Sequence, residues 1–265
     1  MPMSGDKNKS RIFYICISII GGLYVLLLVL MLSAQASYFS LPGFLAVLKK
    51  PEIQFSIKLS LLSCSVSALI SVWIAIPLGY LMSRYSFFGR SAIDVLIHVP
   101  IVLPPLVVGC CLLVLFNYPP FSYFGQIFVF NWPGVILAQF VVACALSVRT
   151  MRLCYDQIPE RYEKVALTLG CHPGSAFQKV VLPQAKSGIL ESFTIAWARS
   201  LGEFGPILVF AGATSGKTEV LSTSFFLSMQ AGDMEGMISI STIMVVCAVF
   251  VLSLASALGR RMREE

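Results

Sequence analysis

Residues 152–186 read RLCYDQIPERYEKVALTLGCHPGSAFQKVVLPQAK, a charged stretch with Gly and Pro at intervals. Everything around it is apolar. Of the 265 residues, 57% are hydrophobic and 12% are charged, about half the charge of an ordinary soluble domain. A soluble fold of that composition lacks the polar surface to cover itself. The apolar residues also gather into runs near 20 residues, the length that crosses a bilayer as a helix. The chain therefore reads as an all-α membrane protein, and the stretch at 152–186 as a piece held in water between two spans.

Working outward, six spans are expected. The first run is Ile12 to Leu32, after Lys7, Lys9 and Arg11. Ala34-Gln35-Ala36 mimics a signal-peptidase site, but the run exceeds the 7–15 residues of a signal-peptide core, so it reads as a retained helix. The second covers 56–82 with a kink expected at Pro77. The third, 92–116, holds Pro100, Pro104 and Pro105 and is expected to be bent and packed inside the bundle, because its freed carbonyls need protein or water partners. Tyr118, Tyr123 and Trp132 in the uncharged link 117–132 suit a membrane interface. The fourth, fifth and sixth runs are 133–151, 187–213 and 237–258. This divides the chain into an N-terminal tail 1–11, a transmembrane domain 12–258 that includes the polar loop, and a C-terminal tail 259–265.

Six spans put both termini on one side. That side, with the 84–90 link and 149–186, holds 14 of the 19 Lys and Arg residues. Lys49, Lys50, Lys58 and Lys217 fall opposite, and Arg199 lies within a span. The positive-inside rule places both termini and the polar stretch in the cytoplasm. The net charge of +6 thus reports orientation in a bilayer, not nucleic-acid binding.

The polar stretch predicts a helical hairpin. Tyr162, Val165, Ala166 and Leu169 share one helical face, and Gly170 suits a C-cap. His172-Pro173-Gly174 is a turn. Ser175 is placed to cap a second helix that carries Phe177, Val180 and Val181 and stops at Pro183. A connecting loop has no need of an apolar face, so a docking partner is expected to cover it.

Gly170, Val180 and Leu182-Pro183 have the spacing of the EAA loop of ABC-transporter permeases, which runs Glu-Ala-Ala, three residues, Gly, nine residues, Ile, one residue, Leu-Pro. Ala198-Arg199-Ser200-Leu201-Gly202-Glu203-Phe204-Gly205 is similar to the fifth-helix signature of permeases for molybdate, tungstate and sulfate. The resemblance covers about the C-terminal two-thirds. It departs where the family's Glu-Ala-Ala falls on Lys164-Val165-Ala166, with Glu163 one residue early. It implies the type I importer fold and a coupling helix docked in a groove of a cytoplasmic ATP-binding subunit, with Ala166 and Gly170 allowing close approach. It further implies two permease copies, an extracytoplasmic solute-binding protein, ATP and Mg in the partner ATPase and no cofactor in this chain. Gly232-Asp233-Met234-Glu235-Gly236 looks more like the molybdate and tungstate group; sulfate or thiosulfate is the alternative.

Arg199 and Glu203 stand four residues apart within a span. Either Arg199 supplies positive potential along an oxyanion path with Glu203 holding it, or the pair is neutral and fixes packing. Gly202 and Gly205 favour close helix contact, and Phe204 lies between. As the resemblance implies, this helix lines the path.

Other signals are set aside. Ala211–Thr218, AGATSGKT, fits a relaxed P-loop but follows a membrane helix and falls outside by charge. The segment 214–236 reads instead as a surface for the binding protein or as a solvated loop. The eight cysteines form no CxxC pair and read as small buried side chains. His98 and His172 stand in no nucleophilic arrangement, and His98 reads as a structural hydrogen-bonding residue. An ion-coupled carrier would leave the hairpin without a role, and a membrane-embedded enzyme would need a clustered catalytic set in the spans.

Overall fold

The computed structural model describes residues 4–264, and side chains for 13–260. Residues 1–3 and 265 of the two tails lie outside the described residues, as do the side chains of Lys7, Lys9, Arg11, Arg261 and Arg263 in the charge count. The described residues are helical, without a strand.

α1 (Ser4–Ser37) is apolar all round from Phe13 to Ser37. Those 25 residues reach about 37 Å at 1.5 Å per residue, enough to cross the hydrocarbon core. Its flank is uncovered by the rest of the chain. Near its end, Gln35 Nε2 donates to Ser241 Oγ at 2.8 Å. α2 (Leu41–Lys49) is capped by Ser40 Oγ, which accepts from the Gly43 amide. α3 (Pro51–Arg84) begins with Pro at its first position, where no amide is missed, and continues through Pro77.

α4 (Arg90–Val102) and α5 (Pro105–Leu115) meet at 115°. Pro104 and Pro105 donate no amide hydrogen and disfavour helix in the residue before them, so the expected bend is present. The expected burial holds for α5 alone. α4 buries none of its residues; it rides on the outside, tied by Arg152 Nη1 to Asp94 Oδ1 at 2.5 Å. A 3₁₀ turn (Phe121–Phe124) and α6 (Gly125–Phe128) lead to α7 (Trp132–Gln157). α7 runs six residues into the polar stretch, because Val148, Met151 and Tyr155 continue one buried face.

α8 (Glu160–Thr168), α9 (Pro173–Ala176), a π turn (Phe177–Val181) and α10 (Leu182–Gln184) form the hairpin. The expected span at 187–213 is two helices, α11 (Lys186–Leu201) and α12 (Gly205–Phe210). Gly202 weakens the helix, and Pro206 has no amide hydrogen to continue α11's ladder but fits the first turn of α12, where that donor is not missed. α13 (Leu221–Gln230) and α14 (Met234–Glu264) complete the chain. Among the described residues, four helices are long and apolar enough to cross a membrane, or five if the bent α4–α5 pair is one span.

The centre is α3 packed against α7 and α11. In lipid no hydrophobic force drives helices together, so small residues and hydrogen bonds must. α3 buries Ser56, Ser60, Ser63, Cys64, Ser67, Ala68, Ser71 and Ala75. Ser67 and Ser200 hydroxyls pair at 3.2 Å, and Gln139 Nε2 donates to the Ser200 carbonyl at 3.2 Å. Ser147 and Ser192 each donate to the other's carbonyl, joining α7 to α11. Ser60 Oγ accepts the Leu221 amide at 2.8 Å, holding the start of α13. Such bonds average about 0.6 kcal/mol each in a membrane, so the set matters more than any member.

Candidate functional site

The hairpin is built from its ends inward. α8 starts after Pro159 with Glu160 and Glu163 in its first turn, where carboxylates favour the positive helix end. It closes at Gly170 with φ +87°, a conformation glycine adopts without strain. The Cys171 amide bonds to the Ala166 carbonyl at 3.1 Å and the Gly170 amide to Leu167 at 3.0 Å, the two bonds of a Schellman cap. A Cβ on Gly170 would meet nothing within 4 Å, so the tip is open.

The second arm differs from expectation twice. His172, not Ser175, caps it: His172 Nδ1 accepts the Gly174 amide at 3.3 Å, and Pro173 takes the first helical position, where a missing amide costs nothing. The helix also does not stop at Pro183. The π turn Phe177–Val181 widens the coil just before it, with the Leu182 amide bonded to the Phe177 carbonyl. Pro183 then falls in the first turn of α10, and the chain passes on to α11.

The apolar face of α8 is uncovered at Tyr162, Val165 and Leu169, with Val165 56% exposed. Ala166 is not on it. It turns inward with Glu163, three residues before, and both lie against the body of the chain. Tyr80 Oη donates to Glu163 Oε1, and Arg84 Nε stands 3.8 Å from Glu163 Oε2. Lys164 points out and holds Glu160 at 2.7 Å. Its ammonium keeps the Glu160 carboxyl below the usual carboxylate range. Val180 is half-buried, Leu182 likewise, and Pro183 is exposed.

The second constellation sits at the α11–α12 break. Arg199 Nη1 lies 2.6 Å from Glu203 Oε2; the Arg199 side chain is 32% exposed and that of Glu203 1%. Among the described residues, no hydroxyl or amide reaches the two carboxylate oxygens of Glu203, so the guanidinium alone balances them. Ser222 Oγ fixes the Glu203 carbonyl at 2.7 Å. Phe204 packs against Phe226 with the rings tilted and their centres 4.6 Å apart. Gly205 is buried, and a Cβ there would stand 2.8 Å from Pro105 Cβ and 2.9 Å from the Leu106 nitrogen. Gly202, in contrast, has open space on its free side, with carbonyls of its own helix end no nearer than 3.9 Å.

Residues 75–264 match the family described as binding-protein-dependent transport system inner membrane component. The chain is 34% identical over 217 residues to the molybdenum transport system permease protein ModB of Haemophilus influenzae, covering 79% of this chain and 95% of that one. The chain belongs to this family of inner-membrane transport components. As an ABC-type permease it is a multi-pass protein of the cytoplasmic membrane. It is also 30% identical over 250 residues to the sulfate transport system permease protein CysT of Salmonella typhimurium, covering 89% of this chain and 90% of that one. Among solved structures, a chain of a bacterial alginate ABC transporter superposes with a TM-score of 0.74 at 18% identity, covering 97% of this chain and 96% of its own. A chain of the inward-facing MetNI methionine ABC transporter gives 0.64 at 17%, covering 79% of this chain and 95% of its own. At those identities the likeness is one of fold.

In this permease the loop residues named from sequence gather into one protruding hairpin, and the five at 199–205 into the helix break between α11 and α12. Tyr80, Arg84 and Tyr155, which hold the hairpin, carried no motif. Arg84 and Tyr80 stand four apart near the end of α3, and that spacing beside a polar loop was the available signal. His98 Nδ1 is 2.6 Å from the Asp94 carbonyl oxygen, a structural bond as expected. Ala211–Thr218 follows α12 as turns, with Gly212 and Gly216 at positive φ and no strand before it, unlike a P-loop.

Proposed function

We propose that this permease is the membrane subunit of an ATP-driven importer for a tetrahedral oxyanion, molybdate or tungstate first. The observation that carries it is the hairpin: one side of α8 is fastened to α3 while Tyr162, Val165 and Leu169 lie bare on the other. A bare apolar face on an element outside the spans calls for a partner, and the partner is a cytoplasmic ATP-binding subunit. ATP and Mg belong to that subunit. Two permease copies enclose the path, both termini lie in the cytoplasm, and a solute-binding protein delivers the ion from outside to the surface near 214–236.

Within the path, Arg199 offers a cation to the anion, and Glu203 moderates it so that a divalent ion is released as well as held. Gly202 and Phe204 shape the break beside it. Gly205 lets α12 lie against α5. Movement of the hairpin on ATP closure rocks these spans between inward- and outward-facing states.

The test is reconstitution of the permease with its ATPase. Hydrolysis should rise several-fold when loaded binding protein is added; a competent preparation that shows no rise overturns the reading. Titration calorimetry of the cognate binding protein with molybdate, tungstate and sulfate decides the ion. Sulfate remains the second reading because the likeness to the sulfate permease of Salmonella typhimurium extends over 250 residues.

A further inference from the structure

Both arms of the hairpin converge on one side chain. Tyr80 Oη donates to Glu163 of α8, while its ring packs on Phe177 of the π turn, centres 4.5 Å apart. Tyr155, fully buried on α7, and Tyr85 each stand edge-on to the same ring at 5.6 and 6.0 Å. One turn further along α3, Arg84 Nη2 donates to the Ile158 carbonyl at 2.7 Å, where the chain enters the hairpin, and its Nε faces Glu163. The hairpin's entry, first arm and second arm are thus all held by Tyr80 and Arg84.

α3 is also the helix that reaches the α11–α12 break. Thirteen residues separate Tyr80 from Ser67, about 20 Å along a helix. Ser67 bonds Ser200, the neighbour of Arg199, and Ser60 bonds the first amide of α13, whose Ser222 holds the Glu203 carbonyl. Below this, a Cβ on Gly79 would stand 2.8 Å from Met151 Cβ and 3.0 Å from the Arg152 nitrogen, so α3 and α7 touch nearly backbone to backbone beside Tyr80. The contact leaves little slack.

We infer that Tyr80 and Arg84 are the positioning residues that pass hairpin movement to α3, and that α3 delivers it to the Arg199–Glu203 break. This rests on the proposed transport function. The hydroxyl of Tyr80 fixes α8 by direction; its ring fixes the π turn by packing. The chemistry predicts a connection that loses transmission, not assembly, when the hydroxyl bond is removed.

The experiment uses the permease–ATPase complex in proteoliposomes with molybdate-loaded binding protein, reading molybdate ions imported per ATP hydrolysed. Tyr80→Phe keeps the ring and loses the hydroxyl, and should lower that ratio at least threefold while the ATPase still co-purifies. Glu163→Ala should do the same. Glu163→Gln, whose amide oxygen still accepts from Tyr80, should recover most of the ratio. The double variant Tyr80→Phe/Glu163→Ala should fall no further than the worse single one, because both break one bond. If Tyr80→Phe accumulates poorly, Arg84→Gln reads the same connection and should also lower the ratio. Unchanged ratios, multiplying losses, or loss of the ATPase from the variant complex overturn the inference. A wild-type complex that does not respond to loaded binding protein overturns the transport reading as well, whereas a responsive wild type with unaffected variants overturns this inference alone.

Discussion

Two arginine–glutamate pairs meet in this permease, and they are made differently. Arg199 and Glu203 are four residues apart at the end of one helix, 2.6 Å from each other, with the carboxylate sealed from solvent. Arg84 and Glu163 are far apart in sequence, 3.8 Å in space, and join the end of a span to the hairpin. The first pair neutralises a charge where the chain breaks. The second, with the Tyr80 hydroxyl beside it, ties the end of α3 to the first arm of the hairpin. A local pair sets the field of a site, whereas a tertiary pair sets how elements are connected.

The comparison can be broken most forcefully at the buried pair. Arg199→Met leaves the Glu203 carboxylate sealed and unbalanced, a change of about 3–5 kcal/mol, and should sharply lower the melting temperature of the solubilised complex. Arg199→Met/Glu203→Gln removes both charges and should recover most of that stability. If the double variant also transports molybdate normally, the pair serves packing alone; loss of transport with recovered stability assigns Arg199 to the path.

Next is Gly205→Val at the same break. Its Cβ would press on the Pro105 side chain and the Leu106 backbone, and overpacking of this kind costs about 1–3 kcal/mol. A melting temperature like that of wild type would show that α5 yields there. At the hairpin, Gly170→Val should cost about 1–3 kcal/mol locally, since φ +87° is strained for a branched residue. Because a Cβ there meets nothing in the chain, the variant should insert normally yet lose coupled uptake. Normal uptake would remove the tip from the docking surface.

The smallest effect belongs to Glu160–Lys164, which lies on the surface. The depressed Glu160 carboxyl contributes stability above its unfolded value and loses it as pH falls through the lower folded value. With both side chains in water the contribution is screened. Lys164→Met should return the Glu160 titration to the ordinary range without a measurable melting shift at pH 7. A shift of several degrees would place the pair among the structural ones.

The membrane class, the hairpin and its Gly170 cap were legible because each follows from local pattern: run length, helical spacing, a glycine where φ turns positive. The bend of the third run was legible from Pro104 and Pro105. The end of α7 was not, since Tyr155 reads as part of a polar stretch until Ala75 and Val181 are seen packing around it. The π turn before Pro183 was hidden for a similar reason: proline announces a missing donor, not how the coil widens around it. Helical angle alone puts Ala166 on the exposed face, and only the contact of Glu163, three residues before it, with Tyr80 shows which side turns inward.

By itself the sequence determined that this protein lives in a bilayer, that it carries a polar hairpin whose first arm caps at Gly170, and that an arginine and a glutamate meet near residue 200. Those are matters of composition and of neighbours three or four residues apart. Only the tertiary structure decided that the fifth run breaks against α5, that α4 stays outside, and that Tyr80 and Arg84 hold the hairpin. Such contacts join residues some 80 positions apart, and in lipid they rest on small side chains and hydrogen bonds whose partners no local pattern names.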